Sequence, residues 1–253
     1  MTAESAPNLK TYQRDDVVNY YTELRGLQKS EAYLFGKYIA SGAAVLDLGV
    51  GGGRTTQFLS KRASRYVGVD YSAEMVASCR KQFPSLEFHH LDAAQMTELA
   101  DASFDAIVFP FNGMDYLYPA QRRQRCLSEC ARLLRNGGSF VFSIHNARNL
   151  LVLPQLSGVG VTKKAWRLVR SAAMTARSVA TALPSRSFWG GDGFVIDPVH
   201  GGLKTHVAVQ ARVVAELAEH GFEFRESVSS EYSQSGGHYT APWFYYAFVR
   251  KPR

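Results

Sequence analysis

The feature that most restricts the fold of this chain is a short apolar run that ends in a turn rich in glycine. Residues 43–49 read AAVLDLG, with no alternation of apolar and polar side chains, and three consecutive glycines follow at 51–53. Such a run is typical of a strand buried on both faces, as in a parallel sheet. Glycine allows a sharp turn and a close approach of ligand to backbone. The pattern predicts a strand, a turn and a helix, with a ligand site at the carboxyl end of the strand.

The same alternation continues along the chain. Beyond a helical region at 13–40, the patterns predict strands at 66–70, 86–91, 104–111 and 139–146, and helices at 54–63, 72–83 and 120–134. Alternating strands and helices of this kind predict a doubly wound α/β sheet. After residue 205 the pattern resumes with a helix at 206–221 and strands at 222–228 and 241–250. No helix joins the last two strands, so we expect them to pair antiparallel.

Residues 147–205 interrupt the pattern. They contain one long helical segment at 161–183 and then a stretch rich in turn-forming residues. We therefore expect a core made of residues 1–146 and 206–253. Residues 147–205 are expected to form an inserted lid, or acceptor-binding segment, after the fifth strand.

The spacing of the glycines separates two classes of ligand. A dinucleotide fingerprint needs a third small residue where this chain has Arg54, and it holds a pyrophosphate. Here Asp47 stands two residues before the first of the alternating glycines Gly49, Gly51 and Gly53. A carboxylate at that place suits a ligand with an ammonium group better than one with two phosphates. The turn therefore argues against a dinucleotide.

Two further carboxylates follow strands that end at the same edge of the predicted sheet. Asp70 closes the second strand, nineteen residues after Gly51. It can accept hydrogen bonds from both hydroxyls of a ribose, although an aspartate there can also cap the next helix. Asp92 and Ala93 close the third strand, where a carboxylate can accept from an adenine amino group or remain a solvated turn residue.

These segments resemble those of the class I S-adenosylmethionine-dependent methyltransferases. The resemblance rests on DLGVGGG at 47–53, VGVDYSAEM at 67–75 and LDAA at 91–94, and it extends over residues 20–146 and 206–250. It implies a Rossmann-like seven-stranded sheet in the order 3-2-1-4-5-7-6, with strand seven antiparallel. It also implies an enzyme with S-adenosyl-L-methionine as cofactor.

The resemblance assigns the parts of that cofactor to particular positions. Asp47 and the backbone of the glycine loop would hold the methionine amine, Asp70 the ribose, and Asp92 with Ala93 the adenine. Tyr71 and Met75 would flank the adenine ring. On the N-terminal helix, Tyr21 would cover the sulfonium and Arg25 would pair with the methionine carboxylate. For those last two, ordinary helix packing by the aromatic ring and a solvated arginine is the alternative.

The methyl acceptor is less constrained by the sequence. Histidine titrates near neutrality and can act as a general base, so the candidates are His145, at the end of strand five, and His200, in a loop with glycines. Asn112, after strand four, would orient cofactor or acceptor. Capping of a strand or a helix is the alternative role for His145 and Asn112. No Asp and His cluster has metal-ligand spacing, so no metal is expected.

Charge is concentrated in the insertion. The chain carries a net charge of +7, and residues 147–205 hold eight Lys or Arg against two acidic residues. The segment 161–183 is predicted to be an amphipathic helix with a basic face. It would serve either as a lid packed over the site with that face in solvent, or as a contact for an anionic acceptor or membrane surface. No stable nucleic-acid partner is expected.

We therefore expect an enzyme that methylates a small molecule, with the hydroxyl oxygen of a natural-product intermediate or a sugar favoured as acceptor. The alternatives are an N-methyltransferase of a small molecule and a methyltransferase whose basic insertion binds an anionic, membrane-bound or nucleic-acid acceptor. The N-terminus lacks the apolar core of a secretory signal, and the three cysteines suggest no disulfide framework. A cytoplasmic protein is expected, either monomer or homodimer.

Overall fold

The computed structural model describes residues 21–154, 156, 158, 160–197, 203–232 and 237–252. These residues form one nine-stranded mixed sheet. The strands, in chain order, are β1 Ala44–Leu48, β2 Arg65–Asp70, β3 Glu87–His90, β4 Phe104–Phe109, β5 Leu134–Asn146, β6 Asp192–Asp197, β7 Leu203–Ala208, β8 Phe222–Ser229 and β9 Trp243–Arg250.

Helices cover the sheet and make up most of the insertion. Within the described ranges they are α1 Lys29–Tyr38, α2 Thr56–Ser60, α3 Ala73–Gln82, α4 Ala120–Leu133, α5 Val161–Ala182, α6 Arg186–Gly190 and α7 Gln210–Glu219, with a 3₁₀ helix at Gly113–Tyr116. None of these helices combines the length and the apolar character needed to cross a bilayer.

The order of the core strands confirms the predicted fold. Strands β3, β2, β1, β4 and β5 are neighbours in that order and run parallel. Strand β9 pairs antiparallel with β5, and β8 pairs antiparallel with β9. Counted along the core, β8 is strand six and β9 is strand seven, so the order is 3-2-1-4-5-7-6. The carboxyl ends of the parallel strands therefore meet at one edge of the sheet.

Burial explains why the apolar runs become strands. All five residues of β1 are buried, and successive side chains of a strand point to opposite faces. Leu46 and Leu48 belong to the core cluster on one face with Phe140, whereas Val45 belongs to the cluster on the other face with Val141. A strand covered on both faces needs no polar alternation, which is the pattern seen in the sequence.

The insertion differs from the sequence-based expectation. Strands β6 and β7 form an antiparallel hairpin, and the end of β7 pairs in parallel with the end of β5. Residues 206–208 were expected to begin a helix. They belong to β7 instead, and α7 begins at Gln210. Pairing with strands on both sides satisfies the backbone of this segment, and that long-range pairing outweighs the helical spacing of its apolar side chains.

Helix α5 confirms the long helical segment predicted for 161–183, but its orientation is unexpected. If α5 were a lid, its apolar side chains should pack onto the core. Of the residues of α5, only Ser171 is buried, whereas Trp166 and Val169 are exposed. The apolar face of α5 is therefore turned to solvent, and the helix contacts the rest of the protein through a stripe of small polar side chains.

Candidate functional site

A cleft opens at the carboxyl edge of the parallel strands. Its volume is about 1010 Å³, which includes space open to solvent, so it has room for a small-molecule ligand. Eight of the residues predicted to bind cofactor line it: Tyr21, Gly49, Gly51, Asp70, Tyr71, Met75, Asp92 and Ala93. Residues that are far apart in the sequence thus meet at one cavity, as the sheet topology requires.

The loop between β1 and α2 needs its glycines. Gly49, Gly51 and Gly53 have φ angles of +61°, +55° and +86°, a region that side chains with a Cβ rarely adopt. Gly52 is required for a different reason, because a Cβ there would lie 2.4 Å from the Cα of Thr22. Gly53 lines neither this cleft nor the cavity beside it, so its place in the structure is that of a turn residue.

Asp70 ties the glycine loop to the second strand. Its Oδ2 accepts the backbone N–H of Gly51 at 2.8 Å, and its Oδ1 accepts that of Ser72 at 2.9 Å. The Ser72 hydroxyl in turn accepts the N–H of Met75 and caps α3. Burial raises the pKa of Asp70, and the backbone N–H groups of Ser72, Gly51 and Tyr71 oppose that rise. A carboxylate has about four lone-pair sites, so these N–H groups leave acceptor capacity for a ligand.

Asp92 has a partner that sequence reasoning missed. Its Oδ2 lies 2.8 Å from an Nη atom of Arg122, and its Oδ1 accepts the N–H of Ala94 at 2.9 Å. Arg122 lies in the first turn of α4 and also lines the cleft. No local pattern marks this arginine, since it comes thirty residues after Asp92 and only the packing of α4 brings the two together.

A second cavity of about 320 Å³ lies beside the glycine loop, and Tyr21 lines both cavities. Arg54 lines the second cavity, where its guanidinium lies 5.0 Å from the centre of the Phe111 ring. Both Nη atoms of Arg54 bind the buried carboxylate of Glu31 at 2.6 Å. Arg54, the residue that argues against a dinucleotide, is therefore held by an ion pair at the wall of the second cavity.

Asp47 lies behind the loop instead of at the surface of either cavity. Its Oδ2 accepts hydrogen bonds from the hydroxyls of Thr55 at 2.6 Å and Tyr66 at 2.8 Å. Its buried Oδ1 has no hydrogen-bond partner among the described residues. Burial raises the pKa of Asp47 to about 6, although the two hydroxyls oppose the rise. Contact of this carboxylate with a methionine amine stays a prediction.

Arg25 is placed away from both cavities. Its guanidinium donates to the carbonyl oxygens of Thr22 and Leu24 and lies 3.5 Å from the side chain of Gln82. These contacts direct the side chain to the outer surface of α3, and Arg25 lines neither cavity. Pairing of Arg25 with a methionine carboxylate stays a prediction.

His145 is held by a buried carboxylate. The Asp115 Oδ2 accepts both the backbone N–H of His145 at 2.7 Å and its ring Nδ1–H at 2.8 Å. A carboxylate only accepts, so the proton lies on Nδ1 and the lone pair on Nε2. The Nε2 atom lies 3.3 Å from Nδ2 of Asn112. His145 does not line the cleft, but Tyr116, which does, packs edge-on against the imidazole.

Asn112 precedes the 3₁₀ helix and has an unusual backbone conformation. Its φ of 60° lies in the left-handed region, which asparagine tolerates better than most residues. Its backbone N–H donates to the hydroxyl of Ser143 at 2.7 Å, and its buried Oδ1 has no partner among the described residues. Asn112 lines neither cavity. Its side-chain amide contacts the ring of His145 instead.

Behind His145 lies a network of buried charges. The Asp115 Oδ1 is 3.4 Å from Nδ1 of His206 and 3.6 Å from an Nη atom of Arg123. His206 Nε2 is 2.6 Å from Asp192 at the surface, and Arg123 pairs with Glu216 at 2.8 Å. These groups come from β4–α4, β6, β7 and α7, so no local spacing could have indicated them.

The network determines which groups are charged. Burial alone would raise the pKa of Asp115, but the neighbouring rings of His145 and His206 lower it overall. Burial and Arg123 lower the pKa of His206, but its two flanking carboxylates, Asp115 and Asp192, raise it overall. Asp115 therefore stays ionised at neutral pH and keeps His145 in one orientation and one tautomer. His200, the other predicted base, lies outside the described residues.

Comparison with known proteins agrees with this geometry. Residues 45–138 match the family model described as a methyltransferase domain. A probable S-adenosylmethionine-dependent methyltransferase of Mycolicibacterium smegmatis is 34% identical over 42% of this chain and 39% of its own length. A phosphatidylethanolamine N-methyltransferase of Cereibacter sphaeroides is 33% identical over 44% of this chain and 54% of its own length.

The chain is therefore similar to the class I S-adenosylmethionine-dependent methyltransferases, and the match to the methyltransferase-domain model covers residues 45–138. The chain spans about half the length, or less, of those two curated relatives. The crystal structure of a Burkholderia thailandensis 1,6-didemethyltoxoflavin-N1-methyltransferase, with 1,6-didemethyltoxoflavin and S-adenosylhomocysteine bound, shares the fold. Its TM-score is 0.63 at 15% identity, with 100% of this chain and 92% of that chain covered.

The residues of the cleft fit S-adenosylmethionine, the cofactor of this family. Asp70 lines the cavity, and its carboxylate has acceptor sites still available for ribose hydroxyls. Tyr71 and Met75 supply ring and thioether surfaces for an adenine, and Asp92 lies beside them as an acceptor. The second cavity shares Tyr21, Gly49 and Gly51 with the cleft, so it is available for a further part of the same ligand.

Proposed function

We propose that this chain transfers a methyl group from S-adenosylmethionine to a hydroxyl oxygen of a small-molecule acceptor, with His145 as general base. The observation that carries this proposal is the pairing of Asp115 with His145 at 2.8 Å, which leaves Nε2 as the proton acceptor. When bound, S-adenosylmethionine supplies a methyl group on a positively charged sulfur, so the acceptor oxygen needs only orientation and loss of its proton.

The residues around His145 each contribute to orientation of the acceptor or to removal of its proton. Asp115 orients the imidazole and stabilises the imidazolium that forms when Nε2 takes the proton. Asn112 donates to Nε2 in the resting state, and an acceptor hydroxyl would replace that contact. Tyr116 lines the cleft and contacts the imidazole, so a shift of its ring would bring the acceptor to Nε2. Phe109, Phe111 and Tyr118 give the cleft an aromatic wall, which supports a small organic acceptor.

A panel of phenols, sugars and amines, with S-adenosylhomocysteine release as readout, tests the proposal. With a turned-over hydroxyl acceptor, we expect His145→Ala to lower kcat by about 10²–10⁴-fold. The acidic limb of the pH–rate profile should disappear with it. His220→Ala is the matched control, because His220 bonds to Gln124 and Ser128 on the outer surface of α4. An unchanged rate and pH profile in His145→Ala would contradict the base assignment.

Transfer to nitrogen is the second candidate. One curated relative and one structural neighbour carry N-methyltransferase names. An unprotonated amine is already nucleophilic, so orientation alone suffices for it. Turnover of amines but not hydroxyl acceptors, with His145→Ala retaining most of the rate, would favour this candidate over the first.

A further inference from the structure

Helix α5 meets the rest of the described protein through small polar side chains. The hydroxyl of Ser171 donates to the carbonyl oxygen of Val152, and the N–H of Val152 donates to Oγ1 of Thr175 at 3.0 Å. Ser171 is the buried residue of the helix. The contact therefore uses one narrow stripe, anchored to the segment that leaves the end of β5.

The opposite side of α5 is apolar. An α-helix turns by about 100° per residue, so the stripe of Ser171 and Thr175 faces away from Trp166, Val169 and Ala173. Trp166 is 60% exposed and Val169 is 70% exposed. Leu183 extends this apolar arc at the end of the helix. The indole N–H of the exposed Trp189 donates to the carbonyl oxygen of Leu183 at 2.7 Å. We call this surface the outward face of α5.

The charges beside this face have one sign. Residues 161–182 contain five Lys or Arg and no Asp or Glu. On the same helical geometry, Lys163, Arg170 and Arg177 fall along one border of the outward face, and all three are exposed. The guanidinium of Arg170 lies 5.3 Å from the centre of the Trp166 ring. An apolar arc with a tryptophan and a cationic border is the pattern of helices that lie in a membrane interface.

We propose that the outward face of α5 binds the surface of an anionic lipid bilayer. The apolar side chains enter the boundary between headgroups and acyl chains, and the cations reach the lipid phosphates. A second copy of this chain is a poorer occupant, because a two-fold contact would bring the same cations together. Nucleic acid would use the cations but leave the apolar arc without a partner. This binding does not depend on the identity of the methyl acceptor.

Sedimentation of the full chain with vesicles tests the proposal. We expect binding to vesicles of phosphatidylcholine and phosphatidylglycerol in equal parts, weaker binding at high salt, and little binding to phosphatidylcholine alone. The variant Trp189→Phe with Trp243→Phe leaves Trp166 as the single tryptophan. Its emission should shift to the blue and be quenched by brominated lipid when vesicles are added.

Paired substitutions separate the two contributions. Arg170→Gln with Arg177→Gln should weaken binding by about fivefold for each cation removed. Trp166→Gln with Val169→Gln should weaken it by about tenfold or more, because apolar burial is lost. The matched control is Lys81→Gln with Arg125→Gln, which removes the same charge from exposed positions on α3 and α4 and should leave binding unchanged.

Several results would overturn the proposal. No binding to anionic vesicles at low salt would do so directly, as would equal loss in the Lys81 and Arg125 control. Binding that survives Trp166→Gln with Val169→Gln, together with salt-sensitive retention of RNA, would assign the cations to nucleic acid. A dimer that dissociates only in the Trp166 and Val169 variant would assign the face to a second copy. Blue-shifted Trp166 emission that vesicles do not alter would mean that the chain itself covers the face.

Discussion

Replacement of Asp115 by asparagine should lower the free energy of unfolding by about 3 kcal/mol. Removal of one partner from a buried ion pair typically costs about 3–5 kcal/mol, because the other charge is left without compensation. Asp115 is fully buried and holds the backbone and ring N–H groups of His145 at 2.7 and 2.8 Å. Arg123 keeps its contact with Glu216 at 2.8 Å, so the lower end of that range is expected.

Urea unfolding followed by far-ultraviolet circular dichroism at neutral pH measures this loss. The matched control is Asp101→Asn, which breaks a shorter ion pair of 2.6 Å with Arg132, but at a carboxylate that is 66% exposed. Exposed pairs contribute about 0–1 kcal/mol, so the control should be nearly neutral. Affinity for S-adenosylhomocysteine should survive in Asp115→Asn, since Asp115 lines neither cavity. Equal destabilisation by the two substitutions would refute the reasoning from burial.

Three further outcomes follow from the same structure. The pKa of His206 is raised in the folded protein, so its stabilisation is complete below the ordinary histidine value of about 6.5 and is lost as pH rises through the raised pKa. The free energy of unfolding should therefore fall as pH rises above about 6.5, and His206→Gln should flatten that slope. Asp70→Asn should weaken S-adenosylhomocysteine binding by about tenfold or more in calorimetry, because charge-assisted hydrogen bonds are lost, whereas Asp101→Asn should leave the affinity unchanged. Gly52→Ala should cost about 1–3 kcal/mol in urea unfolding, since its Cβ would lie 2.4 Å from a backbone Cα, whereas Gly36→Ala, with open space around its Cβ, should cost nothing.

Much of the core could be predicted because its signals are local. The unalternating apolar run of β1 indicated a strand buried on both faces, and all five of its residues are buried. The positions of Asp70 and Asp92 at the ends of β2 and β3 placed them at the same edge before any tertiary contact was known. Both line the cleft in the structure. Parallel strands impose that arrangement, so the spacing along the chain was sufficient.

The sequence could not specify the pairing of charged side chains across the fold. His145 was a candidate, but its partner Asp115 lies thirty residues earlier, and His206 was expected in a helix. Arg25 illustrates the same point, since its guanidinium lies 3.5 Å from the side chain of Gln82, 57 residues away in the sequence. A side chain of this length has many rotamers, and the one adopted depends on which distant groups pack beside it.

The amino-acid sequence by itself determined the parallel core, the glycine turn and the carboxylates that follow the strands, because these depend on side-chain period and on backbone conformation. Only the tertiary structure decided which residues join Asp115, which face α5 turns outward, and that β6 and β7 extend the sheet. The amphipathic pattern of α5 is visible in the sequence, but its direction is not. Periodicity defines the faces of a helix, whereas the contacts of Ser171 and Thr175 determine which face meets the protein.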